Sequence, residues 1–473
     1  MEVLLGIRNF GKIKSAEINL SGFSVLVGNN NSGKTYLMQL IYGIRRNLPG
    51  YLADSGFCAS HLCQLEKQVQ TGRVLLDYHS IGEIELFLNK ILEKNKEKIV
   101  LETFHEEIEI GQIYVRLLME EGEQSEWLIY KQGDAEETLN QILANLNGEI
   151  KSVSERLKER GIFQKNELGF VLFRFRILNG KKECLYSRFF ASKVSVCTEI
   201  AVSAADLLID EFEDMLFLPA SRTGLLMLYK EFFASKADEA VKIWSAEDFE
   251  PDKKESRKLG ITQPVYDSLR FMQTFARKKK SAENKSLIQF IEKYLIEGKI
   301  LVNQANQAVY QAQGAGQELP LYLSSSMVNE LMPLLYVLQS TSQPTYFIWD
   351  EIETSLHPQK QMELARLLSR MSNAGFTMIV STHSDTMAAK INNLCLLSFS
   401  QLVKGKRAEI LNKAGLEEAD LFQDRIHVYQ FLQDDSGKSV MKESEYDEVT
   451  GYTFTLFQDS VEKLFQETRL ILE

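Results

Sequence analysis

Eight consecutive residues, Gly28-Asn29-Asn30-Asn31-Ser32-Gly33-Lys34-Thr35, place two glycines, a lysine and a hydroxyl in the order that binds a phosphate chain. Glycine at each end lets the backbone curl so that successive N–H groups point inward at phosphate oxygens. Lys34 adds positive charge for the outer phosphates, and the Thr35 hydroxyl can ligate Mg²⁺. Such a loop functions only between a strand and a helix, and both flanks comply. Phe23-Ser24-Val25-Leu26-Val27 reads as a buried strand, and Tyr36-Leu37-Met38-Gln39-Leu40-Ile41 as the start of an apolar helix.

A second set of chemical groups lies far along the chain. Thr345-Tyr346-Phe347-Ile348-Trp349 is an apolar strand ending in Asp350-Glu351, the Walker B arrangement. There Asp350 can hold Mg²⁺, directly or through water, and Glu351 can orient or polarise an attacking water. Ala374-Gly375-Phe376-Thr377-Met378-Ile379-Val380 predicts another buried strand, ending at Ser381-Thr382-His383-Ser384-Asp385. That puts His383 at a strand end beside the crevice where ligands of open α/β sheets bind. A hydrolytic triad of Ser381, His383 and Asp385 is excluded, because neighbours this close in sequence do not converge on one another. Before the acidic pair, Ser324-Ser325-Ser326 opens an apolar helix, and alone it reads as a helix cap.

Together these elements resemble the ATP-binding cassette ATPases of the SMC, RecF and OLD type. The likeness is closest in three stretches: Gly6-Ile7-Arg8-Asn9-Phe10-Gly11-Lys12-Ile13 through Thr35, the serine segment, and Trp349-Asp350-Glu351-Ile352-Glu353-Thr354-Ser355-Leu356-His357-Pro358 through His383. Phe217-Leu218-Pro219-Ala220-Ser221-Arg222 is similar to a run in bacterial AAA-type ATPases of the OLD-related group. The resemblance implies ATP and Mg²⁺ as cofactors and a composite site. In it, residues Gly28 to Thr35 and Asp350 of one subunit hold the nucleotide and metal, and a signature serine of the other, Ser326 or Ser324, touches the γ-phosphate. It also implies that Ser355, Leu356 and His357 form a dimer-facing D-loop, and that His383 is a switch histidine acting with catalytic Glu351 and Lys34. One of Gln64, Gln68, Gln112 and Gln132 is expected to supply a glutamine loop. The serine segment departs from the family's Leu-Ser-Gly-Gly-Gln, with Ser325 and Ser326 in place of glycines and Met327 in place of a polar residue.

Composition agrees with this class. The 473 residues suffice for two or three packed regions, and the hydrophobic fraction of 44% is that of a globular protein. No apolar run approaches the roughly twenty residues that span a bilayer, so no membrane partner is expected. The N-terminal Met1-Glu2-Val3-Leu4-Leu5 reads as a first strand and not as an export signal, which predicts a cytoplasmic protein. Five cysteines without a Cys-x-x-Cys pair fit a reducing compartment. Cys58, His61 and Cys63 lack the ligand spacing of a zinc site and read as ordinary thiols and a histidine. The net charge of −11 gives DNA binding no support, and the one dense basic run, Arg277-Lys278-Lys279-Lys280, reads as a solvated helix end.

The expected fold is α/β: a P-loop ABC-type ATPase with a mixed sheet, an antiparallel lobe and a helical insertion. Residues 1–223 are expected to form the N-terminal lobe, with helix-like runs at 80–98 and 138–160 and strand-like alternation at 111–117 and 170–177. Residues 224–319 read as a short helical hairpin with amphipathic faces, ending in a Gln-rich stretch at 303–317. Residues 320–400 carry the serines, the acidic pair, His383 and a sheet-closing strand at Leu394 to Phe399, and 401–473 read as a small tail subdomain. OLD-type nucleases carry a Toprim domain after the ATPase, and no such acidic cluster is read here. The expected protein is therefore an ATPase working as a homodimer or higher homo-oligomer, a sensor in an antiphage defence system with a separate effector protein. Two alternatives stand beside it: a RecF- or SMC-like ATPase of DNA repair or chromosomes, with DNA as partner, and a non-hydrolysing nucleotide-gated scaffold.

Overall fold

A computed structural model describes residues 2–54, 73–76, 78–118, 124–131, 170–178, 181–190, 215–220, 222–225, 260–274, 284–303, 308–340, 346–454, 465–467 and 469. Cys58, His61, Cys63, Gln64, Gln68, Gln132, the run 138–160 and the basic run 277–280 lie outside these residues. In chain order the strands of the three larger sheets are β1 (Glu2–Phe10), β2 (Ile13–Asn19), β3 (Phe23–Gly28), β4 (Arg73–Leu76), β5 (Ile110–Leu118), β6 (Gln124–Lys131), β7 (Phe170–Leu178), β8 (Lys181–Phe190), β9 (Met215–Leu218), β10 (Gly298–Val302), β11 (Ala308–Ala312), β12 (Leu319–Pro320), β13 (Tyr346–Trp349), β14 (Thr377–Thr382), β15 (His427–Gln433) and β16 (Ser439–Glu443).

Among the described residues, one mixed sheet has the order β5-β1-β2-β16-β15-β3-β14-β13-β9. One side is antiparallel, through β5, β1 and β2. The other is parallel: β15, β3, β14, β13 and β9 all run the same way. Strands β4, β6, β7 and β8 form a separate antiparallel sheet. The expected α/β class, with a mixed sheet and an antiparallel lobe, is the architecture found. No helix among the described residues is long and apolar enough to cross a membrane.

The parallel strands are apolar on both faces because helices cover both. In β13, Tyr346 and Ile348 join one buried cluster, with helices Lys34–Asp54 and Tyr78–Phe104. Phe347 and Trp349 join the other, with helices Ser326–Ser340, Pro358–Asn373 and Asp385–Phe399. The period of two also splits β3, where Val25 and Val27 face the second cluster and Leu26 the first.

Three readings of the sequence are corrected. Leu394 to Phe399 is the last part of helix Asp385–Phe399, not a strand. Its buried Met387, Ala388, Ile391, Leu394 and Cys395 follow helical spacing, and the Ser384 hydroxyl caps the start by accepting from Met387 N at 3.2 Å. The sheet is extended instead by β15 and β16, so the segment after residue 400 supplies β15, hydrogen-bonded directly to the phosphate-loop strand β3. Residues 224–319 are not helical throughout. Helices Gln263–Thr274 and Lys285–Phe290 form, followed by a π-helical turn at Ile291–Leu295, and then β10, β11 and β12 make a small antiparallel sheet. The Gln-rich stretch contains β11, whose Val309 and Tyr310 favour a pleated surface and whose Tyr310 hydroxyl donates to the Ile296 carbonyl at 2.7 Å.

Candidate functional site

Register, not sequence proximity, gathers the candidate residues. Val27 of β3 lies opposite Thr382, Val380 opposite Trp349, and Trp349 opposite Leu218. The segments following β3, β14, β13 and β9 therefore leave the sheet at one edge: the phosphate loop, His383, Asp350-Glu351 and Pro219 to Arg222. That carboxyl edge is where open α/β sheets bind ligands.

The phosphate loop has the backbone its composition demands. Gly33 has φ +100°, and a Cβ there would sit 2.7 Å from Ile13 Cγ1. A Cβ on Gly28 would sit 2.8 Å from Phe431 Cβ and 2.9 Å from Ser32 Oγ. Both positions are therefore closed to side chains. Asn31, at φ 60°, is one of the residue types that tolerate the left-handed region. Lys34 opens helix Lys34–Asp54 and folds back into the loop, its Nζ donating to the carbonyls of Gly28 (2.8 Å) and Asn29 (3.0 Å) and to Ser32 Oγ (3.3 Å). Burial lowers its pKa to about 8, against the opposing pull of Asp350, Glu351 and Glu353.

The two halves of the site meet at one hydrogen bond. Thr35 Oγ1 donates to Asp350 Oδ2 at 2.7 Å. Ser381 braces the acidic pair from the neighbouring strand: its hydroxyl donates to Asp350 Oδ1 at 2.5 Å and accepts from Glu351 N at 2.8 Å. Glu351 itself has φ 45°, a left-handed conformation that costs a non-glycine residue roughly 1–3 kcal/mol and persists only where its surroundings hold it. Its side chain is 41% exposed, whereas Asp350 is buried.

His383 stands where the strand reading put it. Its backbone N–H donates to Glu353 Oε1 at 2.6 Å, and its ring Nε2 lies 3.8 Å from Glu351 Oε1. Burial first, then the charge of Lys34, lowers its pKa below the ordinary imidazole value, opposed by Glu353, Asp350 and the Gly28 carbonyl. The ring is therefore neutral at pH 7.

None of the bonds just described involves the three serines. Ser324 Oγ donates to the Leu321 carbonyl at 2.6 Å, and Ser325 Oγ accepts from Val328 N at 3.4 Å as a helix cap. Ser326 is exposed at the first position of helix Ser326–Ser340, beside exposed Tyr322 and Leu323. Within 355–357, Ser355 and His357 are exposed, and His357 caps helix Pro358–Asn373. Leu356 is a core residue of the second cluster. Gln112 lies in β5, at the antiparallel side of the sheet.

Sequence reasoning assigned no role to two buried charges at this edge. The Arg222 side chain is 0% exposed, and its guanidinium donates to the carbonyls of Pro219 (3.0 Å), Asp350 (2.8 Å) and Glu351 (3.2 Å). Its Nε lies 2.6 Å from Glu330 Oε2, a charge contact off the N–H axis. A lone acidic residue inside the apolar run Val328 to Leu338 was the available signal for Glu330.

This donor set fits Mg²⁺ and a polyphosphate. Among the described residues, no group of three His, Cys, Asp or Glu side chains is placed to hold a metal. The adjacent Thr35 hydroxyl and Asp350 carboxylate are the hard oxygens that Mg²⁺ takes from a protein when phosphates and water supply the rest. The glycine-bounded loop with its buried ammonium suits the phosphates.

Residues 3–388 match the AAA ATPase domain family. No curated protein matches the chain. Among solved structures, it is similar to the Smc head domain with an extended coiled coil bound to the C-terminal domain of ScpA from Pyrococcus furiosus, at 13% identity over 98% of each chain, TM-score 0.34. It is similar to an SmcHead bound to the C-winged helix domain of ScpA, at 14% identity over 93% of this chain and 97% of that one, TM-score 0.35. It is also similar to the SMC head domain from Thermotoga maritima, at 12% identity over 94% and 100%, TM-score 0.32.

The Ser381 brace is directly testable. Ser381→Ala leaves the Glu351 amide and one Asp350 oxygen short of a partner, and we expect it to lower unfolding stability by about 1–3 kcal/mol. Urea denaturation measures this, and an unchanged midpoint would show that the brace carries no energy.

Proposed function

Because the chain belongs to the AAA ATPase domain family, we propose that it binds and hydrolyses Mg·ATP in a nucleotide-gated dimer. The observation that carries this reading is the 2.7 Å contact of Thr35 with Asp350 beside the buried Lys34 ammonium, which joins the two halves of a nucleotide site. Lys34 and the loop amides, those of Asn29, Asn30 and Asn31 among them, bind the phosphates. Thr35 and Asp350 hold Mg²⁺, which when bound neutralises phosphate charge. Glu351, its carboxylate open to solvent and its backbone clamped, orients the attacking water, and neutral His383 stands beside it to hydrogen-bond the γ-phosphate or the water. One chain leaves its nucleotide uncovered on this reading. A second copy closes it with Ser326, exposed at the first position of its helix, whereas the Ser324 and Ser325 hydroxyls make local bonds. Ser355 and His357 face the same partner.

For biological use we favour a sensor ATPase of a bacterial antiphage system that controls a separate effector. The support is the likeness of Phe217 to Arg222 to a run in OLD-related ATPases, beside the likeness of the Walker B to His383 stretch to the SMC, RecF and OLD type. Affinity purification of the tagged chain from its own host should bring down one stoichiometric partner encoded beside it, and purification alone under mild salt would count against the reading.

Glu351→Gln should retain ATP, accumulate as a dimer on size exclusion, and turn over about a hundred- to a thousandfold more slowly. Normal hydrolysis by that variant would remove Glu351 from its role. The Lys34 ammonium sets a pH dependence. Nucleotide binds the charged form, which is already present below pH 8, so affinity is flat there. Above about pH 8, binding must draw in a proton, and affinity falls by up to about tenfold per pH unit. Calorimetry at pH 9 in buffers of different ionisation enthalpy should register the proton uptake, and its absence would place the lysine pKa elsewhere.

A further inference from the structure

Helix Ser326–Ser340 is apolar over most of its length, yet its second turn carries a carboxylate, Glu330, with a side chain only 3% exposed. A carboxylate leaves water only where its charge is met. Two elements meet it. One oxygen accepts from Thr223 N (3.0 Å) and from Thr223 Oγ1 (2.6 Å), and the other lies 2.6 Å from Arg222 Nε. The far end of the same guanidinium grips the Walker B turn through the carbonyls of Asp350 and Glu351. Glu330 is four positions after Ser326 and so lies on the same side of the helix, one turn on.

The peptide units flanking Glu351 are therefore held on both sides. Its N–H donates to Ser381 Oγ, its carbonyl accepts from Arg222 Nη2, and between them the residue keeps its left-handed φ. Ser381 fixes that turn to β14, whereas Arg222 fixes it to the serine helix. A planar fork with five N–H groups can serve Glu330 and three carbonyls together, and a lysine ammonium cannot.

We propose that Arg222 and Glu330 are positioning residues: a buried strut that makes the placement of Glu351 depend on how the serine helix is seated. This rests on the ATPase reading above. When a second copy engages Ser326, any shift of the first turn of its helix reaches Glu351 of that same chain through Glu330 and Arg222. Engagement on one face is thereby linked to water orientation at that chain's own nucleotide.

The test uses full-length protein carrying Arg222→Lys, Glu330→Gln, or Arg222→Met with Glu330→Met. Arg222→Lys and Glu330→Gln should each lower kcat about tenfold or more, while ATP affinity, read with a fluorescent ATP analogue, stays within about threefold, because a misaimed Glu351 disturbs water and not phosphate binding. In the Arg222→Lys background, Ser326→Ala should cost less than it does in the parent, since the link is already cut. The double Met variant leaves no unpaired buried charge, but it strips donors from three carbonyls and an acceptor from Thr223, so its thermal midpoint should fall and it should still lose turnover. Turnover within about twofold of the parent in Arg222→Lys, equal losses of kcat and affinity, or restored turnover in the double Met variant would each overturn the strut. Hydrogen exchange without ATP separates this from the ATPase reading. Faster exchange of the Glu351 and Ile352 amides in Arg222→Lys, by about tenfold, supports the strut even in a chain that proves unable to hydrolyse ATP, and unchanged exchange overturns it.

Discussion

Thr35 and Asp350 stand 315 positions apart in the chain and touch at 2.7 Å. Neither segment can make that contact alone, because the threonine starts a helix and the aspartate ends a strand. What brings them together is the adjacency of β3, β14 and β13, set in parallel and in register by apolar residues on both faces. Closing so long a loop costs entropy, but the cost grows only logarithmically with length, roughly 0.6 kcal/mol per doubling. Burial of residues such as Phe23, Phe347, Trp349 and Val380 outweighs that increment, at about 1.5–3 kcal/mol for each large side chain. Long inserted segments between the two halves are therefore tolerated, provided the three strands keep their order.

The same edge concentrates charge, and the way that charge is handled follows from exposure. Asp350 is buried and receives Thr35 and Ser381. Glu330 is buried and receives Arg222 and Thr223. Glu351, which is not buried, carries its restraint in the backbone, and among the described residues His383, at 3.8 Å, is the group that approaches its carboxylate. Lys34 illustrates the converse. Its ammonium sits on carbonyls and a hydroxyl, neutral acceptors that satisfy its protons without cancelling its charge, so the charge persists for an incoming anion while burial drags the pKa down.

Residues whose function is local were legible in the sequence. A glycine-bounded loop between strand and helix, and an acidic pair at the end of an apolar strand, each announce themselves within ten positions, and both lie where expected. Readings failed where a short apolar run fits two periods. Leu394 to Phe399 could be strand or helix by hydrophobicity, and the Ser384 cap with its upstream apolar spacing decides for helix. The Gln-rich stretch hid β11 because its glutamines and alanines favour helix, and the decisive contact, Tyr310 on the Ile296 carbonyl, is tertiary. Arg222 lay in a recognised run, but its partners at 330, 350 and 351 belong to other elements, so no window of sequence could pair them.

The described parts of 263–303 show how an insertion can be joined to such a site without entering it. On one side, Asp267 of helix Gln263–Thr274 accepts from Tyr42 (3.1 Å) and Arg46 (2.7 Å) on the helix that follows the phosphate loop. On the other, Lys360 of the helix that follows Ser355 to His357 donates to the Tyr294 carbonyl at 2.7 Å, while Arg366 and Arg370 pass over the Phe290 ring to the buried Asp420. Asp420 has its pKa lowered by those arginines against the opposing effect of its own burial, so it remains a carboxylate and the pairs remain ionic. An exposed pair contributes roughly 0–1 kcal/mol, whereas removing one partner of a buried pair costs about 3–5 kcal/mol. The Arg366 and Arg370 pairs thus fix Asp420 to helix Pro358–Asn373, while the insertion meets that helix through the Tyr294 carbonyl and the face of the Phe290 ring.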